Sequence, residues 1–489
     1  MNESHIAIRN DKINYLWLAV VVLLLATLLR SFDVGAQSLT FDESDRVLLA
    51  RLPWAQSWIG VAQEGLHALP MLVLVLKFFV EPLNETWIRL PSVLFGIVTI
   101  ALMSSLARSW FGRWAGWAVL CLFALNPFHI WFSRTATMYS VMLFSVAGSF
   151  WAFHKVLRSV RAPLWILMSL FTSAGILTHH FALIAPFVQF AYLVATLKQN
   201  HKVIVGWMLA QGLAATPLLI WLGWSITQQK VYYIGTAASR SPNLLDVFQT
   251  LWNYSFVYTG EVTPLIIVSL ILFLSLFAFG FYIAWREARL LVWWFALPLA
   301  TAFVFSFRLP MYIDRYLSPI MLALVLVLVL GVARLRWRNG LLAALLCISA
   351  FNISRIYYDQ NFFAKEGWRE SITYLQSRER EGDVIVAPHF EQFLPFFLYY
   401  QGKLPFKGIT AGQNKIFKID DLKGGATRLW LFTPHYQDST HLLAACPPFD
   451  QVTQAVTKDH ADWVIANASK MLERIDYPCI TIFLYDFGR

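Results

Sequence analysis

The sequence predicts a polytopic α-helical membrane protein of about eleven transmembrane helices, N-terminus inside, followed by a C-terminal extracytoplasmic α/β domain. Three observations predict it. The 489 residues are 58% hydrophobic and only 14% charged, with a mean hydropathy of +0.55, whereas soluble domains are about a quarter charged. Apolar runs recur along the first 353 residues and then stop. Basic residues gather in alternate loops between these runs. The net charge of +10 would by itself suit a nucleic-acid binder, but its distribution is that of membrane topology. The aromatic content of 16%, including 21 Trp, suits belts at the membrane surface.

The first run, Tyr15–Leu29, is followed by Arg30, Ser31, Phe32 and Asp33 rather than by small residues. It reads as a retained signal-anchor helix over 15–31 and not as a cleaved signal peptide. Further spans are expected at 88–107, 115–132, 138–154, 162–178, 181–197, 203–224, 263–285, 290–306, 317–333 and 339–353. Ala68–Val80 is too short to span and contains Pro70 and Lys77, so an amphipathic helix along the surface is expected there. With the N-terminus inside, the inner loops carry Arg108, Arg113, Lys155, Arg158, Arg161, Lys198, Lys202, Arg286, Arg289, Arg334, Arg336 and Arg338 against a single acid, Glu287. The outer loops carry Asp33, Asp42, Glu43, Asp45, Glu64, Glu81, Glu85, Asp246, Glu261 and Asp314. This map gives outer loops at 32–87 and 225–262 and two domains, 1–353 in the membrane and 354–489 outside it.

The outer domain alternates helix and strand. Lys365–Gln376 has helical amphipathic spacing, Asp383–Ala387 reads as a buried strand, Phe393–Gln401 as a helix, and Arg428–Thr433 and Cys479–Tyr485 as strands. Cys121 and Cys347 fall in spans and read as apolar residues. Cys446 and Cys479 fall in the outer domain and are candidates for a disulfide, since an exported domain meets oxidising conditions. No spacing in the chain resembles a zinc site.

Four groups of residues bear chemistry, and all map to the outer face. Asp42, Glu43 and Asp45 lie just after the first span, behind Phe41 and in the same loop as His67. A carboxylate at that boundary is partly desolvated, which suits a general base; the plainer reading is a solvated loop. Arg134 follows Asn126-Pro127-Phe128-His129 at the outer turn of the next hairpin; it either meets a ligand or snorkels to the headgroups. His179 and His180 occupy the shortest outer turn, where they bind metal, donate to phosphate or stand in water. Arg315, in Asp314-Arg315-Tyr316-Leu317-Ser318-Pro319, either neutralises a phosphate or pairs with an acid.

In that order and topology the chain resembles the GT-C glycosyltransferases of the protein O-mannosyltransferase and aminoarabinose-transferase superfamily, in its bacterial dolichyl-phosphate-mannose–protein mannosyltransferase-like branch. Phe41-Asp42-Glu43 is similar to the family's Asp-Glu motif, and Thr86–Gly96 to its entry into the second span. Phe111-Gly112-Arg113, Asn126–Ser133, Thr178-His179-His180-Phe181, Arg315-Tyr316-Leu317 with Pro319, and Trp368-Arg369 with Gly382-Asp383 match further elements. Two departures stand out. His67-Ala68-Leu69-Pro70-Met71 replaces His-Pro-Pro-Leu-Tyr, and Thr135-Ala136-Thr137-Met138-Tyr139 replaces Glu-Ala-Arg-x-Tyr.

The resemblance implies a GT-C fold and transfer of a hexose or pentose from a polyprenyl-phosphate donor to a glycan, lipid or protein acceptor. The expected place is the outer face of a bacterial inner membrane. It implies Asp42 as catalytic base with Glu43 in support, and Arg315, Arg134, His179 and His180 as candidates to hold the donor phosphate. His67, Tyr139 and Tyr316 are expected to contact the acceptor or to orient such residues. No cofactor is required by a single inverting displacement, and a divalent metal, used elsewhere among GT-C enzymes, is not indicated. The alternatives are a ligase of a preassembled lipid-linked glycan, a flippase or transporter of lipid-linked sugars, and a membrane scaffold. A transporter is expected to carry ionisable residues at mid-bilayer and repeated halves, and neither is visible.

Overall fold

The computed structural model describes residues 3–64, 69–228, 241–257, 263–309, 311–358, 366–387, 394–408, 419, 424–434 and 461–488. The chain groups into two compact units. One comprises Met1–Val34, Leu52–Pro82 and Thr86–Ser354, and the other Gly35–Arg51, Leu83–Glu85 and Arg355–Arg489. The second unit thus takes in pieces of the segment expected as the first outer loop as well as the region expected to form a domain from residue 354.

The helices in order are α1 (Glu3–Ser31), α2 (Phe41–Arg51), α3 (Trp54–Gln63), α4 (Pro70–Leu76), α5 (Glu85–Phe111), α6 (Arg113–Ala124), α7 (Pro127–Ser133), α8 (Met138–Arg158) and α9 (Ala162–Ile176). They continue with α10 (Ile184–Ala195), α11 (Leu197–Gln228), α12 (Leu244–Phe256), α13 (Pro264–Glu287), α14 (Arg289–Phe305), α15 (Pro319–Ala333) and α16 (Arg338–Tyr358). All the segments expected to span are helical over most of their length. Among the described residues, Glu85–Phe111, Met138–Arg158, Val203–Gln228 and Pro264–Glu287 are each long and apolar enough to cross a membrane alone, and five further apolar helices are shorter.

Two expectations are corrected. The span expected at 115–132 is not one straight helix: α6 and α7 meet at a 60° bend. Pro127 has no N–H for the Phe123 carbonyl, so the helical ladder cannot continue through it. The carbonyls of Phe123 and Ala124 at this break accept from the Arg30 guanidinium at 2.9 and 3.0 Å, and Asn126 caps the new helix by accepting the His129 N–H at 2.7 Å. The surface helix expected at 68–80 is the shorter α4, which buries Leu72, Val73 and Leu76 and hangs from the Leu177 carbonyl through the Met71 N–H at 3.0 Å. The segment expected as an outer loop at 225–262 includes the helix α12, started by an Asn243–Asp246 capping box.

At the core of this unit α15 is buried along almost its whole length, from Pro319 to Val332, as an all-apolar helix must be. It packs backbone to backbone on α13. A Cβ on Gly280 would collide with the Val327 carbonyl, and one on Gly331 would come within 2.8 Å of the Gly280 Cα. Glycines at both positions permit that approach.

The second unit contains α2, α17 (Trp368–Arg378), α18 (Leu394–Tyr399) and a five-stranded sheet of β1 (Val384–Ala387), β2 (Phe406–Gly408), β3 (Arg428–Pro434), β4 (Met471–Tyr477) and β5 (Ile480–Asp486). The order is β2-β1-β3-β5-β4, parallel from β2 to β3 and antiparallel from β3 to β4. Alternation along the strands divides the core in two. Ile385, Trp430, Phe432, Ile482 and Leu484 join Trp368, Ile372 and Leu375 of α17 on one face. Val384, Val386, Leu429, Leu431 and Tyr485 form the other. Cys479 is disulfide-bonded and Cys121 and Cys347 are free; Cys446 lies outside the described residues.

Candidate functional site

The Asp42 motif begins α2, within the second unit. Thr40 precedes the helix and Glu43 is its third residue. The Glu43 carboxylate turns back to accept the Thr40 N–H at 3.0 Å and the Thr40 hydroxyl at 3.3 Å, and the Thr40 carbonyl accepts the Ser44 N–H at 2.9 Å. This is the returning half of a capping box, and both acids of the first turn complement the helix dipole. The buried stripe of α2 is Glu43, Ser44, Arg46, Val47 and Ala50, so Asp42 is turned to the outside and is exposed. Asp45 pairs with Arg46 at 3.0 Å.

The desolvated carboxylate of this group is one that sequence reasoning missed. Glu366 is 4% exposed. It accepts the Phe41 N–H at 3.1 Å and the Trp368 indole N–H at 2.6 Å, while its carbonyl accepts the Ser38 hydroxyl. Burial pushes its pKa up to about 8, with the Asp42 and Glu43 charges adding to the rise and the two hydrogen bonds opposing it. Nearby, Glu85 accepts from Arg369 at 2.8 Å and from the Tyr399 hydroxyl at 2.9 Å, and that hydroxyl accepts the Leu39 N–H at 2.8 Å. The residues leading into α2 are thus tied to α17 and α18 through polar contacts.

The first unit assembles the other predicted residues. Tyr316 lies 4.8 Å from His179, 6.2 Å from His180 and 6.4 Å from Tyr139, ring centre to ring centre, and the two histidines stack at 4.4 Å. His179 is buried and His180 exposed. The Nδ1 of His179 accepts the Phe181 N–H at 3.2 Å, which leaves Nε2 as its donor in the neutral ring. The Arg315 guanidinium carbon stands 5.9 Å from the Tyr316 ring. Asp314 fixes this segment: it accepts from the Arg315 N–H and from Asn253 of α12, both at 2.6 Å, and its carbonyl accepts the Tyr254 hydroxyl at 2.8 Å.

His180 and Phe181 also border an apolar cavity of about 250 Å³. Leu183, Ile184 and Phe187 line one side, and Pro298, Thr301, Ala302 and Phe305 of α14 the other. A histidine at the edge of an apolar hollow suits a ligand with a hydrocarbon body and a polar head.

Arg134 sits at the end of α1. Its guanidinium donates to the carbonyls of Leu29, Arg30 and Phe32 at 3.0, 3.3 and 2.7 Å, capping the C-terminus of α1. Arg30 in turn, fully buried, bonds the carbonyls at the α6 break and the His129 Nδ1 at 2.9 Å. His67 lies outside the described residues. Among the described residues no group of three or more His, Cys, Asp or Glu is placed to hold a metal ion.

The family model for dolichyl-phosphate-mannose–protein mannosyltransferase matches residues 67–224. Two crystal structures of ArnT from Cupriavidus metallidurans are similar over nearly the full length of both chains. The apo form is 13% identical with a TM-score of 0.59, covering 99% of each chain. The form bound to undecaprenyl phosphate is 14% identical with a TM-score of 0.61, covering 97% of this chain and 98% of the other. An Archaeoglobus fulgidus oligosaccharyltransferase, in complex with Zn and sulfate, is 11% identical with a TM-score of 0.52, over 84% of this chain and 67% of that one. No curated protein sequence matches the chain. The chain has the GT-C glycosyltransferase fold, with a mostly helical body and a small C-terminal sheet domain, and resembles the protein mannosyltransferase and aminoarabinose-transferase superfamily.

Proposed function

We propose that this protein is an integral-membrane glycosyltransferase that moves a sugar from a polyprenyl-phosphate donor to an extracytoplasmic acceptor. The observation that carries the reading is the end-to-end likeness to ArnT, one of whose structures holds undecaprenyl phosphate. The apolar cavity bordered by His180 and Phe181 supports it, since a polyprenyl chain needs an apolar bed and its phosphate needs donors at the rim. The domain division in this reading is a membrane-embedded 1–353 and an extracytoplasmic 354–489, in a bacterial inner membrane.

The chemistry is one inverting displacement. The acceptor hydroxyl or amine attacks the anomeric carbon, the bond from that carbon to the phosphate oxygen breaks, and Asp42 takes the acceptor's proton. Polyprenyl phosphate leaves as an anion and needs no proton, only donors and positive charge. Arg315 and the two histidines fill that role, with Arg134 adding its charge from the α1 cap. Asp42 stands exposed in the first turn of α2, and the Glu43 cap holds the helix turn that carries it. Tyr139, Tyr316 and His67 are assigned to the acceptor or to orienting the charged groups.

The test is incubation of the purified protein in lipid nanodiscs with labelled polyprenyl-phosphate sugars and an envelope extract as acceptor source. Release of free polyprenyl phosphate by the wild type and its loss in Asp42→Asn is the expected result. Near-normal transfer by that variant removes Asp42 from the mechanism. The likeness to an oligosaccharyltransferase favours a second reading, ligation of a whole glycan. Turnover of a pyrophosphate-linked oligosaccharide, with none from monophosphate sugars, decides for it.

A further inference from the structure

We propose that Glu366 is a positioning residue for Asp42: its buried carboxyl group holds the first residue of α2 and thereby sets where the base stands. The inference rests on the reading of Asp42 as the base. The geometry is specific. The Phe41 N–H, immediately before Asp42, is one of the four donors that an α-helix leaves without a partner at its start. Glu366 accepts it at 3.1 Å. A second donor, the Trp368 indole, fixes the same carboxyl oxygen at 2.6 Å. Ser38 completes the clamp, giving its hydroxyl proton to the Glu366 carbonyl and accepting the Trp368 N–H at 3.1 Å. The Thr40–Glu43 cap secures one side of the helix start and Glu366 the other. The two devices answer to residues 323 positions apart in the chain.

A buried carboxyl beside two acids has a second consequence. The groups whose charge Glu366 feels are Asp42 and Glu43 of α2, while Arg369 of α17 is turned to Glu85 and Glu370 and the α18 hydroxyl of Tyr399 donates to Glu85. Glu366 keeps its proton at neutral pH, so the carboxyl that holds the start of α2 carries no charge there. As Glu366 loses that proton in mild alkali, the added charge acts on Asp42 across the turn it holds.

The test compares Glu366→Gln, which still accepts both hydrogen bonds but cannot ionise, with Glu366→Ala, which does neither. Hydrogen exchange at the amides of Phe41–Ser44 should quicken about tenfold in the Ala variant and hold in the Gln variant. In the transfer assay the Ala variant should lose about 10- to 100-fold in kcat with little change in donor KM, as a misplaced catalytic group does. The Gln variant should keep wild-type kcat at pH 7 and lose the wild-type change in rate near pH 8. Equal exchange in the two variants overturns the proposal, as does an alkaline rate change that survives in Gln. Asp42→Asn, run alongside, separates the underlying reading: if it transfers normally, Asp42 is not the base, whereas the exchange arm reads the clamp by itself.

Discussion

The Glu366 carboxyl accepts the backbone N–H of Phe41 at 3.1 Å, joining the segment that leads into α17 to the first residue of α2 within the second unit. This contact has a measurable pH signature. Burial raises the pKa of Glu366 from 4.5 to about 8, so between those values the folded chain holds a proton that the unfolded chain has released. The stabilisation this provides is complete below pH 4.5, falls as pH rises by about 1.4 kcal/mol per unit, and levels off above about pH 8. Thermal unfolding followed by tryptophan fluorescence at pH 5 to 9 should show wild type losing stability faster than Glu366→Gln over that window. Parallel curves for the two proteins would mean that Glu366 is ionised in the fold.

Asp42→Asn separates chemistry from folding. Asp42 is exposed at the first turn of α2, so the substitution removes a favourable helix-dipole contact worth under about 1 kcal/mol. A lost general base costs about 10²- to 10⁴-fold in rate. Turnover should collapse while the unfolding midpoint moves by only a few degrees, checked on the same preparation.

Arg30 and Arg134 exchange caps: Arg30 covers the carbonyls at the α6 break and Arg134 those at the end of α1. Removing either strands buried carbonyl groups. Arg30→Met should cost about 3 kcal/mol or more, since a fully buried set of charged hydrogen bonds is lost. Arg134→Met, whose partners are less buried, should cost about 1–2 kcal/mol. If Arg134 also holds the donor phosphate, its variant raises donor KM beyond what Arg30→Met does. Unfolding and donor titrations on both variants resolve the two roles.

The approach of α13 to α15 depends on absent side chains. Gly280→Leu should destabilise the protein by about 1–3 kcal/mol through overpacking, lowering the unfolding midpoint and the monodisperse fraction in detergent. Gly212→Leu, where an added Cβ meets nothing within 4 Å, should leave both nearly unchanged.

Filling the cavity beside His180 tests whether it holds lipid. Ala302 is 7% exposed and lines it. Ala302→Phe should raise the KM for a long-chain polyprenyl-phosphate donor about tenfold and affect a short-chain analogue less, because the long chain needs the apolar volume. Equal effects on both donors would place the chain elsewhere.

Sequence by itself determined what depends on composition and local periodicity. Apolar runs located the helices because burial of a helix in hydrocarbon demands near-continuous apolar residues. Short continuous apolar runs located β1, β3 and β5, since strands covered by a core on both faces need apolar residues at successive positions. Thr40-Phe41-Asp42-Glu43 read only as an acidic loop; the helix start there, its Thr40–Glu43 cap and the burial of Glu43 rather than Asp42 came with the structure. The gathering of Tyr139, His179, His180 and Tyr316 around one point belongs to tertiary structure, because these residues come from three separate turns whose packing no local pattern specifies. So do the carbonyl contacts of Arg30 and Arg134, since the broken ladder at Pro127 and the end of α1 supply their acceptors only in the fold. Glu366 is the clearest case. In sequence it is one acid in a charged stretch, Lys365-Glu366-Gly367-Trp368-Arg369-Glu370. Only folding takes it out of water and sets it against the N–H of Phe41, and that loss of solvent is what makes it a different acid from its neighbours.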